Sequence, residues 1–179
     1  MEFIILGLLL LQSRSIYELR ERIDKGINLM YSSSTGSIQA AIKKLLAAQH
    51  ITFEMRVDNG REKKIYSITP QGIQHFMQWV NAPNETSNIK NPDLIKIYFM
   101  GFSDREVRER NIVLQIENLR EILSTLELVW ESAKITEVPE SGRDIANYQL
   151  ATLDYGIKSI RFNIGWYEEL LDKIRNGEI

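Results

Sequence analysis

The sequence predicts a mainly α (α+β) fold, in which several helices accompany one β-hairpin and two long helices follow. Two observations lead to this prediction. In residues 1–82, apolar residues recur at helical spacing, except over 51–68, where apolar and polar residues alternate as in a half-buried strand. In residues 93–179, apolar residues repeat in steps of three and four over two long segments, which indicates helices packed along their length.

Three helices are predicted before the hairpin. The first, over about residues 2–12, is apolar on all sides, as expected of a helix enclosed by others. The second, over about 15–26, has Gly26 as a stop signal. The third begins in the stretch Ser32–Thr35, which offers several N-cap candidates, and runs to about Gln49. We expect its buried residues to be Ile38, Ala41, Ile42 and Leu45.

A β-hairpin and a fourth helix complete the first region. The pair Asn59-Gly60 is a strong turn signal, because a tight hairpin turn needs positive φ. Thr69 and Pro70 fit the N-cap and the first position of the following helix. The residues predicted to face the core are Ile51, Phe53, Met55 and Val57 in the first strand and Ile73, Phe76, Met77 and Val80 in the fourth helix.

A polar, proline-marked stretch separates this region from the rest of the chain. We therefore predict a domain over residues 1–82, a linker over 83–92 and a second domain over 93–179. The second domain begins with a short helix over about 93–101. Ser103 and Glu106 then have the spacing of a capping box, which places the start of a long helix there.

Two apolar seams with heptad-like spacing run through the second domain. The plainer interpretation is that the two long helices pack on each other as a hairpin. We favour the interpretation that they also pack on a second copy, because a lone helical hairpin leaves its flanks uncovered. The residues assigned to dimerisation are Leu119, Leu123, Leu126, Trp130, Leu153, Ile157, Ile160, Ile164, Trp166 and Tyr167.

Composition restricts the classes of function. The 179 residues include no cysteine, which excludes disulfides and thiolate chemistry. Residues 1–82 carry ten Lys and Arg against seven Asp and Glu (net +3), whereas residues 83–179 carry twelve against seventeen (net −5). This asymmetry suggests that the first domain meets an anion. The apolar run Phe3–Leu11 is too short to span a bilayer and lacks signal-peptide flanks, so we expect a cytoplasmic protein without membrane contact.

No pattern in the sequence indicates catalysis. His50 and His75 have no matching carboxylate or cysteine cluster, and no metalloprotease, nucleophile-elbow, phosphate-loop or dinucleotide motif occurs. We therefore expect no enzyme activity, no metal and no cofactor. His50 falls between the third helix and the first strand, where a left-handed residue is often needed, so a structural role is favoured for it.

The third helix and the hairpin have the features of a winged helix-turn-helix that binds DNA. A recognition helix must bring polar or basic side chains to base edges, and a basic hairpin must meet phosphates. Gln39 is the best candidate for reading a base, and a solvated helix surface is the plain alternative. The predicted DNA-binding residues are Ser34, Thr35, Ser37, Gln39, Lys43, Lys44, Arg61, Lys63, Lys64 and Tyr66.

The same stretches resemble the PadR family of bacterial transcriptional regulators. The recognition-helix pattern of that family is similar to Ser34–Leu45 and its wing signature to Gly60–Gly72. Further likeness lies in Ile5–Leu9 and Tyr17–Leu19. The long helices are similar to the C-terminal dimerisation domain of the subfamily related to virulence activators. Where the family has Tyr-Pro in the recognition helix, this chain has Gln39-Ala40, which puts the tyrosine's phosphate contact in doubt.

The resemblance implies a homodimer on double-stranded DNA with a pseudo-palindromic operator. Such regulators are usually repressors and are often released by a small aromatic or lipophilic effector. Trp79, Trp130, Trp166 and Tyr167 are aromatic candidates for effector contact, but core packing is the commoner role of such residues. The alternative function is a winged-helix module that binds proteins and not DNA.

Overall fold

The structure is a computed structural model that describes residues 1–25, 35–58, 61–83 and 92–179. The chain divides into two compact units, Met1–Ser87 and Asn88–Ile179, called here the N-terminal and C-terminal units. The predicted fold class is confirmed, since helices accompany a two-stranded antiparallel sheet. The predicted turn Asn59-Gly60 and most of the predicted linker lie outside the described residues.

The N-terminal unit has the predicted order α-α-α-β-β-α. The described helix ends lie within two residues of the predicted ends, because apolar periodicity defines the middle of a helix better than its termini. The elements are α1 (Glu2–Leu11), α2 (Ile16–Lys25), α3 (Thr35–Ala47), β1 (Ile51–Asp58), β2 (Arg61–Ile68) and α4 (Pro70–Asn81).

The first three helices and the base of the hairpin enclose the core of the N-terminal unit. The buried residues of α3 are the predicted ones, Ile38, Ala41, Ile42 and Leu45. α1 contributes Ile5, Leu6 and Leu9, whereas Leu10 and Leu11 at its end are exposed. The apolar first helix is therefore enclosed over most of its length but not at its last two residues.

A short segment before α2 pairs with the hairpin. The amide of Arg14 donates to the carbonyl oxygen of Tyr66 at 3.0 Å, and the amide of Tyr66 donates to that of Arg14 at 2.8 Å. The hydroxyl oxygens of Ser13 and Ser67 lie 2.8 Å apart. These bonds hold the first turn of α2 against β2. A single β-bridge has no periodic pattern, so the sequence does not predict this pairing.

α3 ends in a Schellman motif. The amide of Gln49 donates to the carbonyl oxygen of Leu46 at 3.0 Å, and the amide of His50 donates to that of Leu45 at 2.9 Å. Gln49 has the left-handed conformation, with φ of 57°. The prediction that His50 takes this conformation is therefore wrong by one residue, because α3 stops at Ala47, two residues before the predicted end.

α4 begins as predicted, with Thr69 as N-cap and Pro70 in the first position. The Thr69 hydroxyl accepts from the amide of Gly72 at 3.1 Å and donates to the carbonyl oxygen of Gln49 at 2.7 Å. Gly72 is buried, and a Cβ atom there would lie 2.0 Å from the carbonyl oxygen of His50. The glycine therefore permits the close approach of α4 to the start of β1.

The substitution Gly72→Ala is expected to lower the free energy of unfolding by about 1–3 kcal/mol, because the backbone at His50 must move to admit the methyl group. Urea unfolding followed by circular dichroism measures the change. Gly165→Ala in the C-terminal unit is the matched control: its Cβ meets no atom within 4 Å. Replacing that helical glycine should stabilise by roughly 0.5–1 kcal/mol. A Gly72→Ala protein as stable as wild type would contradict the close-approach argument.

α4 packs through one of its four predicted core residues, Phe76, and not through the other three. The predicted core residues that are in fact exposed are Ile73 (37%), Met77 (43%) and Val80 (51%). Phe76, the fourth predicted residue, does pack on the core and lies against Gly7 of α1. Trp79, which is not among the predicted core residues and is 49% exposed, stacks its ring on that of Phe3 at 4.5 Å. The prediction is therefore confirmed for Phe76 and wrong for Ile73, Met77 and Val80, because the side of α4 with the aromatic rings is the one that contacts α1.

The two histidines lie at the same junction. The ring centroids of His50 and His75 are 4.4 Å apart, and the His75 ring also lies 5.1 Å from that of Phe3. Both imidazoles are half-buried, His50 just before β1 and His75 in the middle of α4. This packing gives His50 the structural role expected for it.

The hairpin extends beyond the core. Ile51 at its base is 3% exposed, but exposure on the same side of β1 rises to 38% at Phe53, 52% at Met55 and 72% at Val57. The predicted half-buried side of β1 is therefore wrong beyond its first residue. The core cluster reaches the hairpin at Ile51 and Tyr66, and Ile65 of β2 is also buried, whereas the side of β1 with Phe53, Met55 and Val57 lies beyond the described core.

The C-terminal unit consists of α5 (Pro92–Tyr98), α6 (Arg105–Lys134) and α7 (Arg143–Asn176), with short 3-10 turns before α6 and α7. The start of α6 agrees with the prediction, but the predicted capping box is wrong. The N-cap is Asp104, and it makes no side-chain cap hydrogen bond. Ser103 is not the cap because its amide closes the preceding turn on the carbonyl oxygen of Met100 at 3.0 Å.

The two apolar seams pack on each other within one chain, as the plainer interpretation has it. Three ion pairs join the helices, Arg175 to Glu109 at 2.7 Å, Arg120 to Glu168 at 2.6 Å and Arg161 to Glu127 at 2.7 Å. The partner number in α7 falls as that in α6 rises, so the helices form an antiparallel hairpin. The seam residues buried in it are Ile112, Ile116, Leu119, Leu126, Leu153, Ile157, Ile164, Tyr167, Leu171 and Ile174.

Candidate nucleic-acid interface

The side of α3 that faces away from the core is polar and accessible. Gln39, Ala40 and Lys43 are exposed, and Ser37 is half-buried and engaged with a neighbouring group. Three predicted contacts cannot be placed, since Ser34 and the side chains of Thr35 and Arg61 lie outside the described part of the structure. The described part of this surface therefore presents the side-chain amide of Gln39 and the ammonium group of Lys43 near its centre.

Lys44 forms an ion pair within the protein. Its ammonium Nζ lies 3.3 Å from the Oε1 atom of Glu2, and its side chain is 72% exposed. An exposed pair of this kind contributes little to stability, so the lysine can exchange its partner for a phosphate at small cost. The predicted role of Lys44 is therefore compatible with its position at the edge of the α3 surface.

The hairpin carries its cations on both sides. In the strand register Asp58 pairs with Arg61 and Arg56 with Lys63. Arg56 and Lys63 therefore lie on one side of the sheet, and Lys64 lies on the other. The ammonium group of Lys64 lies 4.3 Å from the centre of the Phe53 ring. Arg56 contacts Glu54, with Nε 2.6 Å from Oε1. Each strand therefore brings basic side chains to the exposed part of the wing.

Among the predicted DNA-binding residues whose side chains the structure describes, Tyr66 is the one that lies inside the protein. It is 3% exposed and belongs to the core of the N-terminal unit. Burial raises the pKa of its phenol above the ordinary value of 10.0. Its prediction as a surface contact is therefore wrong. β2 turns this side chain inward at the base of the hairpin, where Arg14 also pairs with its backbone.

A groove between the first turn of α2 and β2 lies beside the wing. Its open volume is about 560 Å³, and Tyr17 at its edge is 75% exposed. Sequence reasoning did not single out Tyr17 as a contact. The sequence did contain a signal for it. Ser15 and Glu18 have the spacing of a capping box, which places Tyr17 in the first turn of α2. The residues lining the groove are Ser15, Ile16, Tyr17, Glu18, Glu62, Lys63, Lys64 and Tyr66.

Glu18 caps α2 and so fixes the first turn beside this groove. Its Oε2 atom accepts from the amide and from the hydroxyl of Ser15, both at 2.7 Å. The amide of Glu18 donates in return to the Ser15 hydroxyl at 3.3 Å, which completes a capping box. The hydrogen bond from the Ser15 hydroxyl, then that from its amide, lowers the pKa of Glu18 from 4.5, and the positive charge of Lys63 adds to the effect.

The variant Glu18→Gln is expected to lose stability in a pH-dependent way. A carboxyl group with a lowered pKa in the folded state stabilises that state above the unfolded value of 4.5, and this stabilisation disappears as the pH falls through the folded value. Thermal unfolding should therefore show a deficit for the variant at pH 7 that shrinks below pH 4.5. Ser15→Ala should reduce the difference, since it removes the main cause. An equal deficit at both pH values would exclude the carboxylate charge as the reason.

The residues assigned to dimerisation divide into two groups. Those covered by their own chain are Leu119, Leu126, Leu153, Ile157, Ile164 and Tyr167. Those that stay partly accessible are Leu123, Trp130, Ile160 and Trp166. When the neighbouring helix of the same chain covers a heptad seam, the seam residues are buried and cannot contact another molecule. The first group therefore offers little surface to a second copy. Their assignment to dimerisation stays a prediction.

The aromatic residues considered for effector contact all have neighbours in their own unit, although only Tyr167 among them is buried. Trp79 stacks on Phe3, Trp166 meets Tyr167 edge to face at 5.0 Å, and Trp130 lies under Lys134 at 5.6 Å. Burial and the negative charge of Asp93 raise the pKa of Tyr167. These contacts give the rings structural roles in their own units.

Two further observations concern the described residues alone. They contain no group of three or more His, Asp or Glu side chains placed to hold a metal ion. None of the helices they form combines the length and the apolar content that crossing a membrane would require.

The N-terminal unit thus has the architecture of a winged helix-turn-helix, and known structures share the fold over nearly the whole chain. Bacillus subtilis PadR in complex with operator DNA has a TM-score of 0.80 and 23% identity, covering 97% of this chain and 98% of that one. The smu.1604c protein of Streptococcus mutans has a TM-score of 0.80 and 25% identity, covering 96% and 98%. The Vibrio cholerae virulence activator AphA has a TM-score of 0.73 and 16% identity, covering 98% of each chain.

The family described as "Virulence activator alpha C-term" matches residues 89–175. A comparison with curated proteins found no match. The fold is therefore that of the PadR-like regulators, and the resemblance predicted from the recognition-helix and wing stretches is confirmed.

Proposed function

We propose that the chain is a sequence-specific DNA-binding transcriptional regulator that acts as a homodimer on a pseudo-palindromic operator. The observation that carries this proposal is the exposed polar side of α3 beside a basic, projecting hairpin. The domains follow from it: residues 1–82 bind DNA, and residues 93–179 hold two copies together. Known structures with this fold include regulators, which supports the proposal.

α3 suits the major groove. The helix is anchored from behind by four buried residues, so its outward side is rigid and lacks large apolar groups. Gln39 can form a bidentate contact with adenine, and Lys43 lies one turn further along for a phosphate or guanine. The polar groups are therefore spaced so that one reads a base while the other sets the position of the helix.

The wing suits the DNA backbone. Lys63 and Lys64 lie on a strand that projects from the core, so they can approach phosphates that α3 cannot reach. Tyr17 adds a phenol at the edge of the adjoining groove. Each cation that neutralises a phosphate contributes affinity at any sequence through counterion release. The wing therefore holds the protein on DNA while α3 discriminates between sequences.

A fluorescence-anisotropy titration with DNA from immediately upstream of the protein's own gene tests the proposal. We expect binding that is at least about 1000-fold tighter than to random duplex of equal length, in the usual range for specific regulators. Equal affinity for the two duplexes at physiological salt, or no binding to either, would contradict a sequence-specific regulator.

We further propose that the protein is a repressor released by a small aromatic or lipophilic molecule. A structure of Bacillus subtilis PadR contains p-coumaric acid, which supports a hydroxycinnamic acid as the first compound to try. Adding p-coumaric acid to the preformed complex should lower the anisotropy. A chemically related acid without the ring, such as crotonic acid, is the control. Unchanged anisotropy with both would exclude p-coumaric acid as the effector, and an equal decrease with both would show that the effect does not depend on the aromatic ring.

The alternative function is a winged-helix module that binds proteins and not DNA. The exposed apolar side of β1, formed by Phe53, Met55 and Val57, favours it, because such a strip suits a protein surface. The same titration separates the two functions, since a protein-binding module would show no preference between duplexes.

A further inference from the structure

The outer edge of β1 is open in the part of the chain that the structure describes. Among the described residues, β1 pairs with β2 and with no other strand. The far edge of β2 is different, because the amide and the carbonyl oxygen of Tyr66 both form hydrogen bonds with Arg14, at 2.8 and 3.0 Å. An open edge of eight residues can pair with a strand of another chain.

The hydrogen-bonding pattern shows which residues of β1 direct backbone groups to this open edge. In an antiparallel pair, opposed residues alternate between exchanging hydrogen bonds and exchanging none. Tyr66 uses its amide and carbonyl oxygen on Arg14, so its pair with Phe53 is of the second kind. By alternation the same holds for Met55 and Val57. The amides and carbonyl groups of these three residues of β1 therefore point outward.

The sequence of β1 is complementary to itself around Met55. In an antiparallel pair of two copies centred on this residue, opposed residues are equally far from Met55 in opposite directions. Glu54 of each copy then lies opposite Arg56 of the other. Phe53 lies opposite Val57 in the same way. Glu54 and Arg56 are exposed and form an ion pair within their own strand, so both side chains lie on one side of the sheet.

We propose that β1 binds β1 of a second copy of the chain in this register, which forms a four-stranded sheet of order β2-β1-β1-β2. Phe53, Met55 and Val57 of each copy supply the backbone groups, and their three opposed pairs exchange about six hydrogen bonds. Charged residues on an edge strand usually prevent such pairing. Here they favour it, because each Glu54 carboxylate meets an Arg56 guanidinium and no like charges are directly opposed.

The apolar side of β1 also gains from this contact. Exposure is 38% at Phe53, 52% at Met55 and 72% at Val57, and these side chains lie beyond the described core. In the proposed register the three residues of both copies meet on one side of the sheet. Directly opposed side chains in a sheet lie about 5 Å apart, and apolar pairs of this kind stabilise it. The strip that a single chain exposes to water thus becomes a shared surface.

The contact is small, so it forms when copies are already close. About seven residues of each copy take part, against about 20–30 in a standard interface. Copies on neighbouring DNA sites would meet at an effective concentration of about millimolar, and this step rests on the proposed function. Lys63 and Lys64 lie on the outer strands of the joined sheet, away from the new contact. Pairing of the wings therefore adds cooperativity to DNA binding and does not compete with it.

Disulfide trapping tests the register in the full chain, which has no cysteine of its own. Met55→Cys places the Cα atoms of two cysteines about 5.5 Å apart, within reach of a disulfide. Val57→Cys is the matched control: the position is more exposed, but the register separates its two copies by about 14 Å along the strands.

The yield of covalent dimer, twice the single-chain mass of 20.8 kDa, is measured without DNA in a glutathione buffer. At a protein concentration of about 1 mM we expect at least about 10-fold more of it from Met55→Cys than from Val57→Cys. Equal yields, or no covalent dimer from Met55→Cys, would overturn the inference. A different protein would then be the candidate occupant of the edge.

A charge exchange in the Met55→Cys background separates pairing from chance collision. Arg56→Glu opposes like charges twice in the contact, and so does Glu54→Arg, so either change should lower the yield roughly 10-fold. An equimolar mixture of the two variants restores opposite charges between copies, although each strand has lost its own ion pair. The yield should therefore recover in the mixture.

Circular dichroism should show wild-type helix content for every variant. A yield that does not fall with the single changes, or does not recover in the mixture, would contradict the proposed register. DNA binding is measured separately by anisotropy. If Met55→Cys gives the expected covalent dimer and the wild-type protein binds no duplex, the contact between the wings stands and the proposed function is refuted instead.

Discussion

Replacing both Lys63 and Lys64 by alanine is expected to weaken binding to every duplex, whatever its sequence. The slope of log affinity against log salt concentration should decrease in magnitude by about two units for each protomer, one for each phosphate that a lysine no longer neutralises, and so by about four units for the proposed homodimer. The cause lies in the fold, because both lysines belong to the part of β2 that projects toward the tip of the wing. Anisotropy titrations at several salt concentrations measure the slope.

The matched control removes two lysines from the C-terminal unit. Lys134 and Lys158 are exposed and each pairs with a carboxylate on its own helix, at 2.8 Å and 2.6 Å. Lys134 also lies over an aromatic ring, as Lys64 does. Their double replacement by alanine changes the net charge by the same amount as the wing variant does. It should leave the salt slope unaltered, because neither lysine belongs to the proposed DNA-binding surface. Equal slopes for the wing variant and wild type would show that the wing does not contact the phosphates.

Elements with long periodic patterns were predictable from the sequence. The order of the N-terminal elements, the buried side of α3 and the Thr69-Pro70 start of α4 all follow from apolar spacing and cap chemistry, because both are local properties of the chain. The wing strands follow likewise from alternation and a turn signal. Local rules therefore define the candidate interface well enough to name α3 and the hairpin.

The errors arise where packing depends on distant residues. α4 has two apolar sides, and nothing local shows that Phe76 and Trp79 would contact α1 while Met77 stays exposed. Tyr66 lies in a basic strand, yet its pairing with Arg14, 52 positions earlier, fixes it inside the unit. Such choices are made by tertiary contacts, which a periodicity does not contain.

The long helices show a subtler limit. A heptad pattern predicts that a helix packs on something, but it does not say whether the partner belongs to the same chain. Here the neighbouring helix of the same chain fills most of each seam, as the burial of Ile116, Leu126 and Ile164 shows. Leu123 and Trp130 belong to the same pattern and yet stay partly accessible. This difference depends on how α6 pairs with α7, which the heptad pattern does not contain.

Gln39→Ala is expected to change which sequences are preferred and to leave binding to random DNA nearly unaltered. A good bidentate contact to a base contributes about 1–3 kcal/mol of discrimination, so the ratio of specific to random affinity should fall roughly 5-fold to 150-fold. Gln39 is suited to this role because it lies on the exposed side of α3, three residues before the buried Ile42 that anchors the same turn. Titrations with operator and random duplexes at one salt concentration give the ratio.

Lys43→Ala provides the opposite signature from the same helix surface. Because this change removes a phosphate contact, it should weaken binding to both duplexes by the same factor. The magnitude of the salt slope should fall by about one unit for each protomer, and so by about two for the proposed homodimer, with the affinity ratio preserved. The two variants remove exposed polar groups four residues apart, so a general disturbance of α3 would affect them equally. If Gln39→Ala weakens binding to operator and to random DNA by the same factor, Gln39 contacts the DNA backbone. Another residue of the α3 surface must then read the bases.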